Sequence, residues 1–257
     1  MNKPAATFNN ISKTFKIDVG RRPTKALDDV SFEVQRGEVL GIIGPNGAGK
    51  STSLKILLGF IKQDQGEVQL NNHHPSSPKS HQSVGYLPEH PCLYKHLTIS
   101  DHLHFAAKIH KLSPTETQQK ITALLKRVNL FDNIKLPIGR FSKGMTQRGA
   151  LAYALLHDPS ILILDEPMSG LDPVGRQLVL DIIQEYKQTG TTILFCSHIL
   201  TDVERICDRI SIMHQGKLAA TITPQELKDA NTIKTNPLQS PLESFFFQTI
   251  QPEAPQP

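Results

Sequence analysis

One glycine-rich stretch limits what this chain can fold into more than any other feature. It reads GPNGAGKST and occupies residues 44–52. It fits the pattern G-x-x-x-x-G-K-[ST] at Gly44, Gly49, Lys50 and Ser51. The apolar run VLGII precedes it, and KSTSLKILLGFI follows it with apolar residues at helical spacing. The sequence therefore predicts a strand, a tight turn and a helix in direct succession.

The residue types in this stretch suit a phosphate group. Glycines allow backbone N–H groups to converge on phosphate oxygens, and the following helix adds the positive end of its dipole. Lys50 would neutralise the charge of the β- and γ-phosphates, and the Ser51 hydroxyl would contact Mg²⁺. We therefore expect a nucleotide to contact the whole stretch, namely Gly44, Pro45, Asn46, Gly47, Ala48, Gly49, Lys50, Ser51 and Thr52.

A second apolar run, ILILDEP, ends in two acids. It predicts a buried strand that delivers Asp165 and Glu166 to its carboxyl end, where open α/β sheets bind ligands. Asp165 could hold Mg²⁺, usually through water, and Glu166 could polarise an attacking water. The alternative is that the two acids cap the next element. Together with the phosphate loop, the two carboxylates favour nucleotide hydrolysis over binding alone.

Strand-like and helical segments alternate along most of the chain, which predicts a mostly parallel sheet covered on both faces. Two helical segments lie between about Thr98 and Asn129, with Ser113 and Pro114 as N-cap and first helical residue of the second. RISIMHQGKLAATI predicts a hairpin. PLESFFFQTI predicts a short helix that packs its own Phe residues, and the terminal QPEAPQP predicts a disordered tail.

Composition excludes several classes of function. The formal charge of +4 and the absence of a Lys/Arg stripe argue against nucleic acid as a partner. The three cysteines have no metal-like spacing and suggest reduced thiols. The sequence starts without the apolar stretch of a secretory signal, and nowhere approaches the about 18 consecutive apolar residues of a membrane span. We expect any role at a membrane to need a partner protein.

The order of motifs resembles that of the ATP-binding subunits of ABC transporters, from about Thr7 to Thr223. GPNGAGKST resembles Walker A, YLPE the Q-loop region, and FSKGM the signature. ILILDEP then resembles Walker B, SGLD the D-loop, and the SH after TTILFC the switch histidine. The resemblance implies an α/β fold: a P-loop NTPase core with a mostly parallel sheet, an antiparallel β N-terminal subdomain and an inserted α-helical subdomain.

The same resemblance implies a domain organisation. Residues 1–223 would form the ATP-binding domain, with a helical subdomain at about 93–157. Residues 224–257 would hold the short C-terminal helix and the Pro/Gln-rich tail.

Further roles at the site follow from the resemblance alone. Phe15 would stack on adenine, although a lone aromatic is also common in a core. His198 would bond the γ-phosphate and orient the water. Glu89 stands where the family usually has glutamine. It would act near the reacting water and ligate Mg²⁺ together with Ser51 and Asp165. We expect the carboxylate to alter the dependence of hydrolysis on Mg²⁺. Asp172 would cross a dimer interface, and it also suits the N-cap of the next helix.

In the family, two such subunits enclose two ATP molecules, and the signature of one faces Walker A of the other. Ser142 and Gly144 would therefore contact the ATP that Lys50 of a second chain binds. Lys143 would add charge near that phosphate or lie exposed. Only one set of motifs is present, so a second ATP-binding subunit is implied, most simply another copy of this chain.

The resemblance further implies ATP and Mg²⁺ as ligands and ATP hydrolysis as the activity. It implies an integral membrane subunit as a partner, reached through the groove near Glu89, and a position on the cytoplasmic face of the membrane. FSKGM is similar to the YSKGM signatures of subunits that serve ABC-2-type exporters, which favours export over import.

Three other classes of protein stay open. A soluble ABC-type ATPase of ribosomes or DNA usually has two motif sets or a long coiled-coil insertion. A P-loop kinase or GTPase would not need FSKGM, SGLD and the late histidine. A regulatory module with degraded catalysis would be favoured only by Glu89.

Overall fold

The structure is a computed structural model that describes residues 3–16, 23–229 and 239–250. By its internal contacts the chain divides into two compact units. The first unit comprises the described residues up to 82 and from 192 onward, and the second comprises residues 83–191. The predicted C-terminal tail, residues 251–257, lies outside the described residues.

The first unit contains both the N-terminal strands and the phosphate loop. Its elements in chain order are β1 (Ala6–Phe15), β2 (Thr24–Val34), β3 (Val39–Ile43), α1 (Lys50–Leu57), β4 (Gln65–Leu70), α2 (Pro78–His81), and, from the C-terminal part, β7 (Thr192–Ser197), α7 (Leu200–Ile206), β8 (Arg209–His214), β9 (Lys217–Ile222), α8 (Pro224–Asp229) and α9 (Pro241–Ile250).

Two sets of strands build this unit. Strand β1 pairs with β2 and with β4, antiparallel in both cases, which confirms the predicted antiparallel N-terminal sheet. Strand β3 lies between β7 and β8 and is parallel to both. Strands β8 and β9 form the predicted hairpin. All five residues of β3 are buried, as expected for a strand covered on both faces.

The second unit carries the remaining motifs. Its elements are β5 (Val84–Leu87), α3 (Ile99–Ile109), α4 (Pro114–Arg127), short 3-10 helices at Phe131–Asn133 and Ile138–Arg140, α5 (Lys143–Leu155), β6 (Ile161–Asp165) and α6 (Pro173–Gln188). Strands β5 and β6 are parallel, and every residue of β6 is buried. The fold class is therefore confirmed as α/β, with an antiparallel N-terminal sheet and parallel pairing of β3 with β7 and β8 and of β5 with β6.

Local capping explains where the helices of the second unit begin. Thr98 and Asp101 form a capping box at the start of α3, in which each side chain bonds the other residue's backbone N–H. Ser113 caps α4 as predicted, with Pro114 in its first turn. These caps satisfy N–H groups that have no partner inside the helix.

The C-terminal helix α9 corrects one detail of the sequence prediction. The helix forms, but its buried residues are Leu242 and Ser244, while Phe247 is 44% exposed. Consecutive helical residues point about 100° apart, so three successive Phe side chains cannot all face the same surface. The helix therefore buries Leu242 fully and Phe245 and Phe246 only in part.

Within the described part of the chain, no helix is both long and apolar enough to cross a membrane.

Candidate functional site

The phosphate loop is held tightly by the strands around it. Gly44 follows β3, and a Cβ atom there would lie 2.3 Å from the carbonyl oxygen of Met213 in β8. Gly49 has φ 108°, and its Cβ would lie 2.7 Å from the carbonyl oxygen of Ala26 in β2. Glycine is required at both positions, by close backbone approach and, at Gly49, also by the left-handed conformation.

Lys50 is the first residue of α1 and is only 6% exposed. Its ammonium donates hydrogen bonds to the carbonyl oxygens of Gly44, at 2.7 Å, and Pro45, at 3.3 Å. The charge of Lys50 therefore lies against the loop itself. Among the described residues no side chain caps the N-terminus of α1, which leaves the positive end of this helix available to an anion. The half-buried Ser51 and Thr52 follow in the first helical turn.

His198 and Phe15 lie in the same unit as the phosphate loop. Ile43 pairs with Ser197 at the ends of the parallel strands β3 and β7, so Gly44 and the exposed His198 leave the sheet at the same edge. Phe15 ends β1, whose neighbour β2 contacts Gly49 through Ala26. The Phe15 ring is 36% exposed, with the Lys13 ammonium 5.7 Å from its centroid.

The predicted carboxylates follow the ends of two paired strands in the second unit. Leu87 pairs with Leu164, so Glu89 and the pair Asp165 and Glu166 leave β5 and β6 at the same edge. Asp165 is 2% exposed and Glu166 7% exposed. The side chain of Glu89 is 46% exposed, and its carboxylate lies 3.9 Å from His90 Nδ1.

The signature turn and the D-loop are in direct contact within the same unit. The Ser142 hydroxyl accepts the N–H of Met145 at 3.1 Å and so caps α5. A Cβ atom on Gly144 would lie 3.2 Å from the carbonyl oxygen of Gly170. Asp172 accepts the N–H of Gly175 at 2.8 Å and caps α6, as predicted from the sequence.

Two contacts of α5 were missed by the sequence reasoning. Lys143 is exposed, one of the two alternatives drawn from the sequence, and its ammonium donates to Ser169 Oγ at 3.1 Å. Gln147 is 2% exposed and its amide donates to the carbonyl oxygen of Glu166 at 3.4 Å. The sequence contained one indication of these contacts. Lys143 and Gln147 are four residues apart, which places two long polar side chains on one face of the helix.

An apolar groove lies beside Glu89 in the second unit. Its volume is about 510 Å³. Large side chains in and around it are solvent-accessible, with Tyr94 68% and Phe105 61% exposed. The lining includes Tyr86, Pro88, Leu93, Tyr94, Phe105 and Tyr153.

The donors available to a metal are few and hard. Across residues 3–16, 23–229 and 239–250 no group of three or more His, Cys, Asp and Glu side chains could hold a metal ion. Mg²⁺ is usually held by one or two carboxylates, water and substrate phosphates rather than by an all-protein cage. The oxygen donors Ser51, Asp165 and Glu89 therefore fit Mg²⁺ by chemical type.

Comparison with known proteins decides the family. The sequence model of the family described as "ABC transporter" matches residues 27–169, more than half of the 257-residue chain. This chain belongs to the ABC transporter family. The match spans the stretches that resemble Walker A, the signature and Walker B, and it confirms the family resemblance drawn from the motifs.

Individual ABC relatives agree with this assignment. An uncharacterized ABC transporter ATP-binding protein of Nostoc is 45% identical over 79% of this chain and 61% of that protein. The linearmycin resistance ATP-binding protein LnrL of Bacillus subtilis is 36% identical over 77% of this chain and 64% of that protein. The chain thus spans less than two thirds of the length of either relative.

A solved structure shows the same fold. The ATP-binding subunit of an ABC transporter is 33% identical to this chain and superposes with a TM-score of 0.78. The match covers 88% of this chain and 92% of that one.

Proposed function

We propose that this chain binds and hydrolyses MgATP and thereby powers a separate membrane subunit of a transporter. The observation that carries the proposal is the phosphate loop. Buried Lys50 lies against Gly44 and Pro45, and an uncapped helix N-terminus follows directly. The ammonium of Lys50 and the positive end of α1 therefore both favour an anion at this loop.

Each remaining candidate has a role in that reaction. Ser51 and Asp165 would hold Mg²⁺, with Glu89 as a further oxygen donor, and bound Mg²⁺ supplies charge neutralisation at the phosphates. Glu166 would accept a proton from the attacking water, and His198 would bond the γ-phosphate. Phe15, one strand from the loop and partly exposed, would stack on adenine.

We propose that two ATP-binding subunits, most simply two copies of this chain, enclose the nucleotide. The Ser142 hydroxyl accepts the N–H of Met145 and still has its own hydrogen to donate to a phosphate oxygen. Gly144 and Asp172 would contact the same partner. Ser142, Gly144 and Asp172 would then form half of the ATP site whose other half belongs to the partner.

The groove beside Glu89 is the proposed contact with the integral membrane subunit. Its exposed Tyr94 and Phe105 suit an apolar helix from a partner, because aromatic side chains dominate binding energy at interfaces. The proposed location is the cytoplasmic face of the membrane. The FSKGM signature and the similarity to the linearmycin resistance protein LnrL both favour export.

Replacing Glu166 tests the hydrolytic role. Glu166→Gln should lower the ATPase rate by about 10²- to 10⁴-fold, the usual contribution of a general base, while ATP binding is retained. Glu185→Gln is the matched control, since Glu185 is an exposed carboxylate on α6 that pairs with Arg127. A Glu166→Gln protein that turned over ATP at the parent rate would remove Glu166 from this role.

Co-purification from gently solubilised membranes tests the transport role. An integral membrane subunit should accompany the full chain, and Phe105→Glu should release it without changing ATP binding. Complexes with ribosomes or DNA, and no membrane subunit, would contradict the transport role and favour a soluble ATPase.

A further inference from the structure

Two side chains on one face of α5 reach the segment that follows the catalytic glutamate. We call this segment, Glu166–Gly170, the Glu166 turn. Lys143 and Gln147 are four residues apart and so lie on the same side of the helix. Lys143 donates to Ser169 Oγ at 3.1 Å, and Gln147 donates to the Glu166 carbonyl oxygen at 3.4 Å. The start of the signature helix thus binds the Glu166 turn at both of its ends.

The side chain of Lys143 lies directly against the backbone of Gly170. A Cβ atom on Gly170 would lie 2.5 Å from Cδ and 2.7 Å from Cγ of Lys143, so the lysine stem covers the glycine backbone. Gly144 approaches the same residue from α5, as its Cβ would lie 3.2 Å from the Gly170 carbonyl oxygen. Movement of the signature turn would therefore displace the Glu166 turn.

The Glu166 turn also begins in an uncommon backbone conformation. Glu166 has φ 49°, in the left-handed region that non-glycine residues rarely adopt. Such a conformation is energetically unfavourable and persists only where surrounding contacts hold it. The Glu166 carbonyl oxygen accepts the Ser169 N–H at 3.0 Å in addition to the Gln147 amide. Residues 169 and 147 thus hold the backbone that carries the catalytic carboxylate.

We propose that Lys143 and Gln147 are positioning residues that link the signature turn to the catalytic glutamate of the same chain. The inference rests on the proposed function, in which Ser142 meets ATP bound by a partner. Contact of Ser142 with that ATP then stabilises the Glu166 turn of its own chain.

Lys143→Met is the primary test, because it keeps most of the stem and removes the ammonium. In the full-length protein, kcat for ATP should fall about three- to tenfold, as expected for the loss of one solvent-exposed hydrogen bond, while KM changes less than about twofold. Ser169→Ala should match it, and the double variant should be no slower than either single variant. Lys143→Arg should recover most of the lost rate.

A second readout does not depend on turnover. Hydrogen exchange at the Ser169 amide, which donates to the Glu166 carbonyl oxygen, should become about fivefold faster in Lys143→Met. Lys135→Met is the control, since Lys135 is an exposed lysine of the same unit. It should change neither the exchange rate nor kcat.

Three results would overturn the inference. One is unchanged Ser169 exchange in Lys143→Met. Another is a rise in KM at constant kcat, which would place Lys143 on the partner's nucleotide. The third is a double variant whose loss of kcat equals the product of the losses in Lys143→Met and Ser169→Ala. Failure of the proposed function is a separate result, seen as absence of ATP hydrolysis in the unmodified protein.

Discussion

The chain has two short turns that open a helix and are directed at phosphate, and they are built in opposite ways. At the phosphate loop, Gly49 precedes α1 in a left-handed conformation, and the next residue, Lys50, folds back onto the loop. At the signature turn, Ser142 uses its hydroxyl to cap α5, and the next residue, Lys143, reaches away to Ser169. Both ammonium groups bond their own chain, Lys50 at the loop where a phosphate is expected and Lys143 at Ser169, away from the signature turn.

On the proposed function, the phosphate loop binds the nucleotide of its own chain, whereas the signature turn responds to the nucleotide of a partner. The phosphate loop has a buried cation, close-packed glycines and the N-terminus of α1 within one unit, so we expect it to hold phosphate by itself. The signature turn offers a hydroxyl and a helix N-terminus at the surface, and its lysine is engaged with the Glu166 turn. In the proposed dimer, the signature turn would contact a phosphate bound by the other chain and pass that contact on to Glu166.

The largest effect should come from the lysine of the phosphate loop. Lys50→Met removes a buried ammonium from the expected position of the β- and γ-phosphates. ATP hydrolysis should fall at least about 100-fold, and ATP binding by the isolated chain should weaken as well. Equilibrium binding of a fluorescent ATP analogue checks this, with Lys55→Met, exposed on the same helix, as the control. Intact binding in Lys50→Met would contradict the comparison.

The glycines of the phosphate loop should respond unequally to alanine. Gly49→Ala would place Cβ 2.7 Å from the Ala26 carbonyl oxygen at φ 108° and should cost about 2–4 kcal/mol of stability. At Gly47 nothing lies within 4 Å of the added Cβ and φ is 80°, so Gly47→Ala should cost about 1 kcal/mol. Urea unfolding midpoints compare the two variants. Equal midpoints would mean that strand packing does not hold the loop.

At the signature turn, substitution should affect association rather than nucleotide binding. Ser142→Arg places a bulky side chain where the partner's γ-phosphate is expected. It should weaken ATP-driven dimerisation by about 10- to 100-fold, the usual cost of overpacking, and leave ATP binding by the monomer intact. Sedimentation with and without ATP measures both. Loss of ATP binding in the monomer would instead place Ser142 in its own chain's site.

The smallest effect is expected at Glu89. Because a carboxylate holds Mg²⁺ more strongly than an amide does, Glu89→Gln should raise the Mg²⁺ concentration needed for half-maximal hydrolysis by about two- to fivefold. A magnesium titration of the ATPase rate checks the shift. An unchanged titration would show that Glu89, half exposed beside His90, does not act on the metal.

The sequence predicted those features that depend on neighbouring residues. The phosphate loop, the caps at Ser113 and Asp172, and the acids after β6 follow from short motifs, and their local geometry is as expected. The direction of Lys143 was not predictable in this way. It depends on Ser169, 26 residues later, whose position is set by the packing of α5 against the Glu166 turn.

The C-terminal helix shows the same limit. The composition of PLESFFFQTI predicted a helix with a buried Phe run, and the helix is present. Which side is buried depends on contacts with distant elements of the chain, and those contacts select Leu242 over Phe247. Propensity identifies an element, whereas tertiary packing decides which side of it is buried.

The mass of Glu166→Gln in solution, measured with and without ATP, tests the central claim most directly. The chain has a mass of 28.5 kDa. If a composite site binds ATP between two copies and Glu166 drives hydrolysis, the variant should double in mass with MgATP and persist as a dimer. Adding Ser142→Arg should return it to the monomer. A Glu166→Gln protein that bound ATP and stayed a monomer would contradict the account.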